Sequence, residues 1–123
     1  MRFLRRLGRW YCGRLTAKFI AGDLCSIKSE DHFRVVKVLA TGDEVIHVKL
    51  YKEEFHERPQ SIWAKALSLG TLGDPEGFGV GHLPLARSTL GLWLPVRFQS
   101  DPVTDDELVR IREWEKSGRD VLS

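Results

Sequence analysis

The chain has 123 residues, a formal net charge of +2, 42% hydrophobic and 29% charged residues, the make-up of one ordinary globular domain. No apolar run reaches the roughly 20 residues that a membrane-spanning helix needs. Cys12 and Cys25 lie in separate segments with no Cys-x-x-Cys pair, which argues against a disulfide framework or zinc knuckle and for a reducing, cytoplasmic setting.

The charge is unevenly spread. Residues 1–20 carry Arg2, Arg5, Arg6, Arg9, Arg14 and Lys18 and no acid, and the 17 acids all lie in the remainder. The chain therefore divides into a basic arm, 1–20, and a mildly acidic α+β domain, 21–123. In the arm Phe3, Leu4, Leu7, Trp10, Tyr11 and Leu15 recur at helical spacing between the arginines, the pattern of an amphipathic helix with a cationic face. Gly8 and Gly13 weaken it by up to about 1 kcal/mol each. The arginines run through the segment, unlike the layout of a signal peptide. Three uses of Arg5, Arg6 and Arg9 compete: solvation while the apolar stripe packs on the body, peripheral contact with an anionic membrane, and contact with nucleic acid or an acidic protein.

Residues 22–51 read as three strands separated by two polar turns, a β-meander. The first run opens at Gly22-Asp23-Leu24, with a hairpin tip at 29–32. The second, 33–40, places Val36 and Val38 on one face and Phe33, Val35 and Leu39 on the other, which predicts a central strand. Thr41-Gly42-Asp43-Glu44 is turn chemistry, with positive φ expected at Gly42. The third run, 45–51, points Ile46, Val48 and Leu50 inward and leaves Val45, His47, Lys49 and Tyr51 on a solvated face.

Gly22-Asp23-Leu24, the tip Glu30-Asp31-His32 and the strand Phe33-Arg34-Val35-Val36-Lys37-Val38 resemble the SH3-like and Tudor-like small barrels. The opening Gly-Asp strand is also similar to that of some small bacterial immunity proteins. The resemblance implies a modified small barrel that binds its ligand across loops at one end. The chain lacks an assignable aromatic cage or Pro-binding aromatic row, so no family ligand carries over.

Residues 51–60 are charged and close on Arg58-Pro59, a strand exit. Residues 61–69 fit either a short helix or a loop feeding a strand at 66–69. The glycine-dense stretch 70–81 lacks the Gly-Lys-Ser/Thr of a phosphate loop. Asp74-Pro75-Glu76-Gly77 is a turn, and Gly77, Gly79 and Gly81 then alternate with Phe78, Val80 and His82. This leaves bare backbone on one strand face for Trp63, Trp93 or a partner to approach. Pro84 is expected to end that strand. A short helix over 86–94, with Leu90 and Trp93 on one face, stops at Pro95, and 96–98 reads as a last strand.

The C-terminal helix over 101–118 has the strongest local signature. Thr104 and Glu107 form a capping box, and Val103 and Leu108 a hydrophobic staple. Asp105 and Asp106 suit the positive end of the helix dipole, so the acidic start needs no metal. Leu108, Ile111 and Trp114 are the expected inner stripe, completing a core with Val36, Val38, Ile46, Val48 and Leu50, and Gly118 ends the helix.

His32, His47, His56 and His82 are scattered, with no metalloprotease, nucleophile-elbow or paired Cys/His motif. One catalytic route stays open, a convergence of His47, His82 and Cys25. The reading that best fits is a non-catalytic intracellular protein-binding module of inhibitor or immunity type, without cofactor or metal. Its candidate contacts are His47, Lys49 and Tyr51 together with the charged run Glu53, Glu54, His56 and Arg58. The alternative is a nucleic-acid-associated small barrel using the basic arm with Arg34, Lys37 and Lys49.

Overall fold

A computed structural model describes residues 18–70 and 77–122. The helix expected over the arm, including Arg5, Arg6 and Arg9, and three of the four residues of the Asp74-Pro75-Glu76-Gly77 turn lie outside the described residues. Five strands, β1 (Asp23–Ser29), β2 (His32–Thr41), β3 (Val45–Leu50), β4 (Val80–Ala86) and β5 (Val96–Ser100), form one antiparallel sheet in the order β4-β3-β2-β1-β5. Helix α1 (Arg87–Leu92) joins β4 to β5, and α2 (Asp105–Lys116) follows β5. The domain is α+β. Its sheet is open, because among the described residues no ladder joins β4 to β5.

The meander forms where the alternation predicts it. β2, apolar on both faces, lies at the centre of the sheet. Its hairpin with β1 turns at Glu30, which adopts a φ of 54°. The second turn is closed by the Gly42 N–H donating to the Val45 carbonyl at 2.8 Å. Gly42 does not use the positive φ expected of it. Register shifts between Leu24 and Cys25, Val38 and Ala40, and Val48 and Leu50 interrupt three of the ladders, and such bulges increase local twist and bend.

Each face of the sheet has its own core. On the first face Cys25, Ile27, Val36, Val38, Ile46, Val48 and Leu85 are buried under Leu90 of α1, with Phe19, Leu50, Leu83 and Trp93 at the margin. On the second, Leu24, Val35, Tyr51 and Leu67 pack with Phe55, Ile62, Leu69 and Phe98. The chain from 51 to 69 thus lies over the second face with a single 3-10 turn, Ala64–Ala66, so neither the short helix expected over 61–69 nor a strand at 66–69 forms.

Two expectations about β4 change. Pro84 does not end the strand; it lies inside it, opposite His47. β4 is an edge strand, and the Pro84 backbone faces outward, where its carbonyl accepts from the Leu122 N–H at 2.9 Å. A missing N–H there removes no bond to β3. At Gly79 the close neighbour is backbone, not an aromatic ring: a Cβ there would collide with the Leu50 carbonyl.

Helix α2 has the expected capping box, with Thr104 Oγ1 accepting from the Glu107 N–H and Glu107 Oε1 accepting from the Thr104 N–H. Its buried residues are Glu107 and Ile111, while Leu108 is only half-buried. The inner stripe therefore begins at a carboxylate.

Candidate functional site

The face of β3 expected to be solvated is covered, as is Lys37 beside it on β2. His47 and Tyr51 retain 7% and 6% of their exposure, and Lys37 only 1%. Lys37 and Lys49 are directly opposed across the β2–β3 ladder, an arrangement that like charges disfavour. Glu107 resolves it by reaching down from the first turn of α2. Its Oε1 accepts from Lys37 Nζ at 2.9 Å, and its Oε2 from Lys49 Nζ at 2.8 Å. Lys37 Nζ also donates to Asp101 Oδ2 at 2.9 Å and to the Pro102 carbonyl at 2.8 Å, so all three of its donors are used. Burial pushes the Glu107 carboxyl up. The hydrogen bonds from Lys49, the Thr104 N–H and Lys37, with the charge of Lys49, outweigh burial and hold it down at about 2.

Toward the other end of α2 lies a histidine pair. His47 Nδ1 and His82 Nε2 are 2.9 Å apart, and the Trp114 ring stands edge-on to His47 at a centroid distance of 4.6 Å. Burial lowers the pKa of both imidazoles; Glu115 partly opposes this at His47, whereas His47 and Arg110 reinforce it at His82. His82, Pro84, Arg110, Glu113, Trp114 and Leu122 help line an open cleft of about 610 Å³. Cys25 is not part of this group. It lies in the apolar cluster on the other face of the sheet, where burial, reinforced by Asp23 and opposed by Arg97, pushes its thiol up to about 12. The proposed convergence of His47, His82 and Cys25 thus brings the two histidines together without the nucleophile. Ser117 at the cleft rim donates its hydroxyl to the Trp114 carbonyl.

The charged run after β3 forms a second site at the opposite margin. Glu53 accepts from the Ser68 N–H at 2.8 Å and hydroxyl at 2.7 Å. Phe55 makes an isolated antiparallel bridge to Phe33, beyond the β2–β3 ladder. Arg58 donates to the Ser26 carbonyl and hydroxyl and stacks over the Phe33 ring at 4.8 Å. His32 at the hairpin tip has Nδ1 3.1 Å from Asp31 Oδ1 and Nε2 3.2 Å from Glu54 Oε2. The hydrogen bond from His32 is the main cause of a lowered Asp31 pKa. Two adjoining hollows, of about 480 and 310 Å³, share Glu54 and Phe55 and are rimmed by Asp31, His32, Lys52, Glu53 and His56.

Glu53, Glu54 and His56 therefore come together with Asp31 and His32. His47 and Tyr51 instead lie inside, and Lys49 is half-buried beside them against Glu107 of α2. The strand cations invoked for nucleic acid are engaged as well: Lys37 and Lys49 with carboxylates, and Arg34 with the carbonyls of Tyr51, at 2.7 and 3.1 Å, and Phe78, at 3.1 Å. The polar layer beneath α2 is the feature that sequence reasoning missed. Its signal was Lys37, a cation flanked by Val36 and Val38 in the middle of a central strand. Among the described residues no group of three His, Cys, Asp or Glu side chains could hold a metal, and no helix is long and apolar enough to cross a membrane. No protein-family model, curated protein or solved structure matches the chain.

Proposed function

We propose that the chain is a non-catalytic protein-binding module, of inhibitor or immunity type, that uses the acidic hollow at Glu54 and Phe55 to hold a basic protein surface. The observation that carries this reading is the accessibility of its carboxylates on ordered elements: the side chains of Asp31 and Glu54 are 97% and 54% exposed. They stand beside the half-buried Phe55, giving a contact patch an apolar centre and a charged rim. Phe55 is fixed by its backbone bridge to β2, so the patch is pre-organised. Trp63, 73% exposed on the same 51–69 segment, is a second aromatic available to a partner. A cytoplasmic setting belongs to this proposal and is supported by the free, buried Cys25.

The finer fold reading, an SH3-like small barrel, belongs to the same proposal. Its support is the meander β1–β3, the return of β5 to the free edge of β1 after a short helix, and the three bulged ladders that can curve the sheet. The catalytic alternative loses support because His47 and His82, 2.9 Å apart, lie on the opposite face of the sheet from Cys25.

Copurification from the native host at low salt tests the function. A stable protein partner should be recovered, and Glu54→Lys should weaken its binding about tenfold, with the wild-type affinity falling as salt rises. Recovery of no protein partner, or undiminished binding by Glu54→Lys, overturns the proposal. Salt-sensitive binding of nucleic acid by the full chain would overturn it in favour of the nucleic-acid alternative.

A further inference from the structure

We infer that His47 and His82 form a proton-operated latch that keeps α2 and the C-terminal segment closed over the β3–β4 edge. A hydrogen bond between two imidazole nitrogens 2.9 Å apart needs one donor and one acceptor. The pair therefore keeps the bond with two or three protons on its four nitrogens and loses it with four. The fourth proton sets two N–H groups and two positive charges against each other.

The bond lies beneath Trp114, and Trp114 holds the tail. Its indole N–H donates to the Asp120 carbonyl at 2.6 Å. Two residues later Leu122 makes a parallel bridge to Leu85: its N–H donates to Pro84 at 2.9 Å, and its carbonyl accepts from Ala86 at 3.0 Å. A continued parallel ladder would direct the Asp120 carbonyl to an N–H on residue 84. Proline has none, and the Trp114 indole supplies the donor instead. The tail is thus tied to β4 by one bridge and, through Trp114, to the histidine pair. Displacing Trp114 removes one of these two attachments and leaves the Leu122 bridge to Pro84 and Ala86 to hold the tail by itself.

The charged groups around the pair set the direction. Arg110 of α2 disfavours added positive charge at His82, while Glu115 of α2 favours it at His47. Glu113 and the Asp120 segment border the cleft. Lys49 of β3 and Lys37 of β2 on the same face are matched by Glu107 and Asp101. Burial keeps both imidazoles neutral at neutral pH, so the latch is closed there and opens as pH falls below the ordinary histidine range.

Hydrogen exchange on the full chain, as protection factors corrected for intrinsic rate, tests the latch at pH 7.5 and 5.0. The Ala86 and Leu122 amides and the Trp114 indole N–H should lose at least about tenfold in protection, the effect of about one pH unit of differential proton binding. The Val36 amide in the centre of the sheet should keep its protection. His82→Gln can accept a bond without titrating and should change less than about twofold. Equal protection at both pH values, a loss shared by Val36, or the same loss in His82→Gln overturns the inference. Should that variant fail to fold, His47→Gln replaces it. The wild-type contrast between Ala86 and Val36 decides the question without either variant.

Discussion

Replacing Glu107 by Gln alters one atom and tests the polar layer under α2. In the native protein the carboxylate accepts from Lys37 and Lys49 and from the Thr104 N–H, with donor distances of 2.8 to 2.9 Å. Glutamine offers one acceptor oxygen and turns an NH2 group toward an ammonium. Two lysines then share a single carboxylate, Asp101, which touches only Lys37. Breaking a buried ion pair on one side costs about 3–5 kcal/mol. Lys49 keeps 22% of its side-chain exposure and can turn to water, so about 2–3 kcal/mol is expected, or a fall in Tm of roughly 10 °C. The pH dependence carries a sign. The carboxyl is depressed from 4.5 to about 2 in the folded protein. Its contribution is therefore complete above pH 4.5 and is lost as pH falls toward 2. Linkage gives at most about 3 kcal/mol, reduced to about 2 by solvent near Lys49 and Asp101. Urea unfolding of wild type and Glu107→Gln at pH 7, 4 and 3 should show a gap that narrows with acid. Equal midpoints at pH 7, or a gap independent of pH, would refute the reasoning. The double variant Lys37→Met/Glu107→Leu should recover more than half of the loss, because removing both partners leaves no unpaired buried charge between them.

Gly79→Ala should destabilise by at least about 2 kcal/mol in the same assay, since the added methyl meets the Leu50 carbonyl, which the β3 backbone holds in place. In a Cys12→Ser background, Cys25 should resist a thiol reagent at pH 8 in the folded protein and react at once in denaturant, because burial keeps its thiol protonated up to about 12. Truncation before Lys18 and truncation before Ala21 should differ. Phe19 packs on the first core cluster, and the Ile20 N–H donates to Asp23 Oδ2 at 2.9 Å. The shorter deletion should change the urea midpoint little, and the longer one should cost about 2 kcal/mol more; equal midpoints would sink the assignment of Phe19 to the body.

The parts of the fold that were legible rest on local chemistry. Thr104 and Glu107 specify a helix start within four residues, and the apolar alternation of 33–40 and 45–51 specifies strands with defined faces. What remained hidden depends on contacts distant in sequence. Alternation shows that His47, Lys49 and Tyr51 share a face; it does not show what covers that face, which here is a segment up to 67 residues away. Pro84 reads as a terminator unless one knows that β4 is an edge strand and that residue 84 faces outward. Glu107 was legible as a cap, and the cap alone accounted for it. Its second role, between Lys37 and Lys49, depends on where the helix docks. In the charged run 53–58, chain proximity placed Glu53, Glu54 and His56 together. Asp31 and His32 joined them through the β1–β2 hairpin tip.

The two faces of the sheet divide the work of folding. The first is apolar, and burial there is large and non-directional. It stabilises the sheet without fixing the angle of a helix. The second face has an apolar cluster of its own around Leu24, Val35, Tyr51 and Leu67, and it also sets Lys37, Lys49, His47 and His82 beneath α2. Ion-paired hydrogen bonds hold the helix at Glu107 in its first turn, and an edge-on ring contact with His47 holds it at Trp114, seven residues later and about 10 Å along the axis. Two attachments that far apart fix both register and rotation, which a lone Ile111 between them would not. Substitutions on the first face should therefore act on global stability. Substitutions at His47 or His82 on the second should first change how α2 and the tail behind it are held. That is why an acidic or charge-altering perturbation is expected to loosen the β4 edge before the central strands give way.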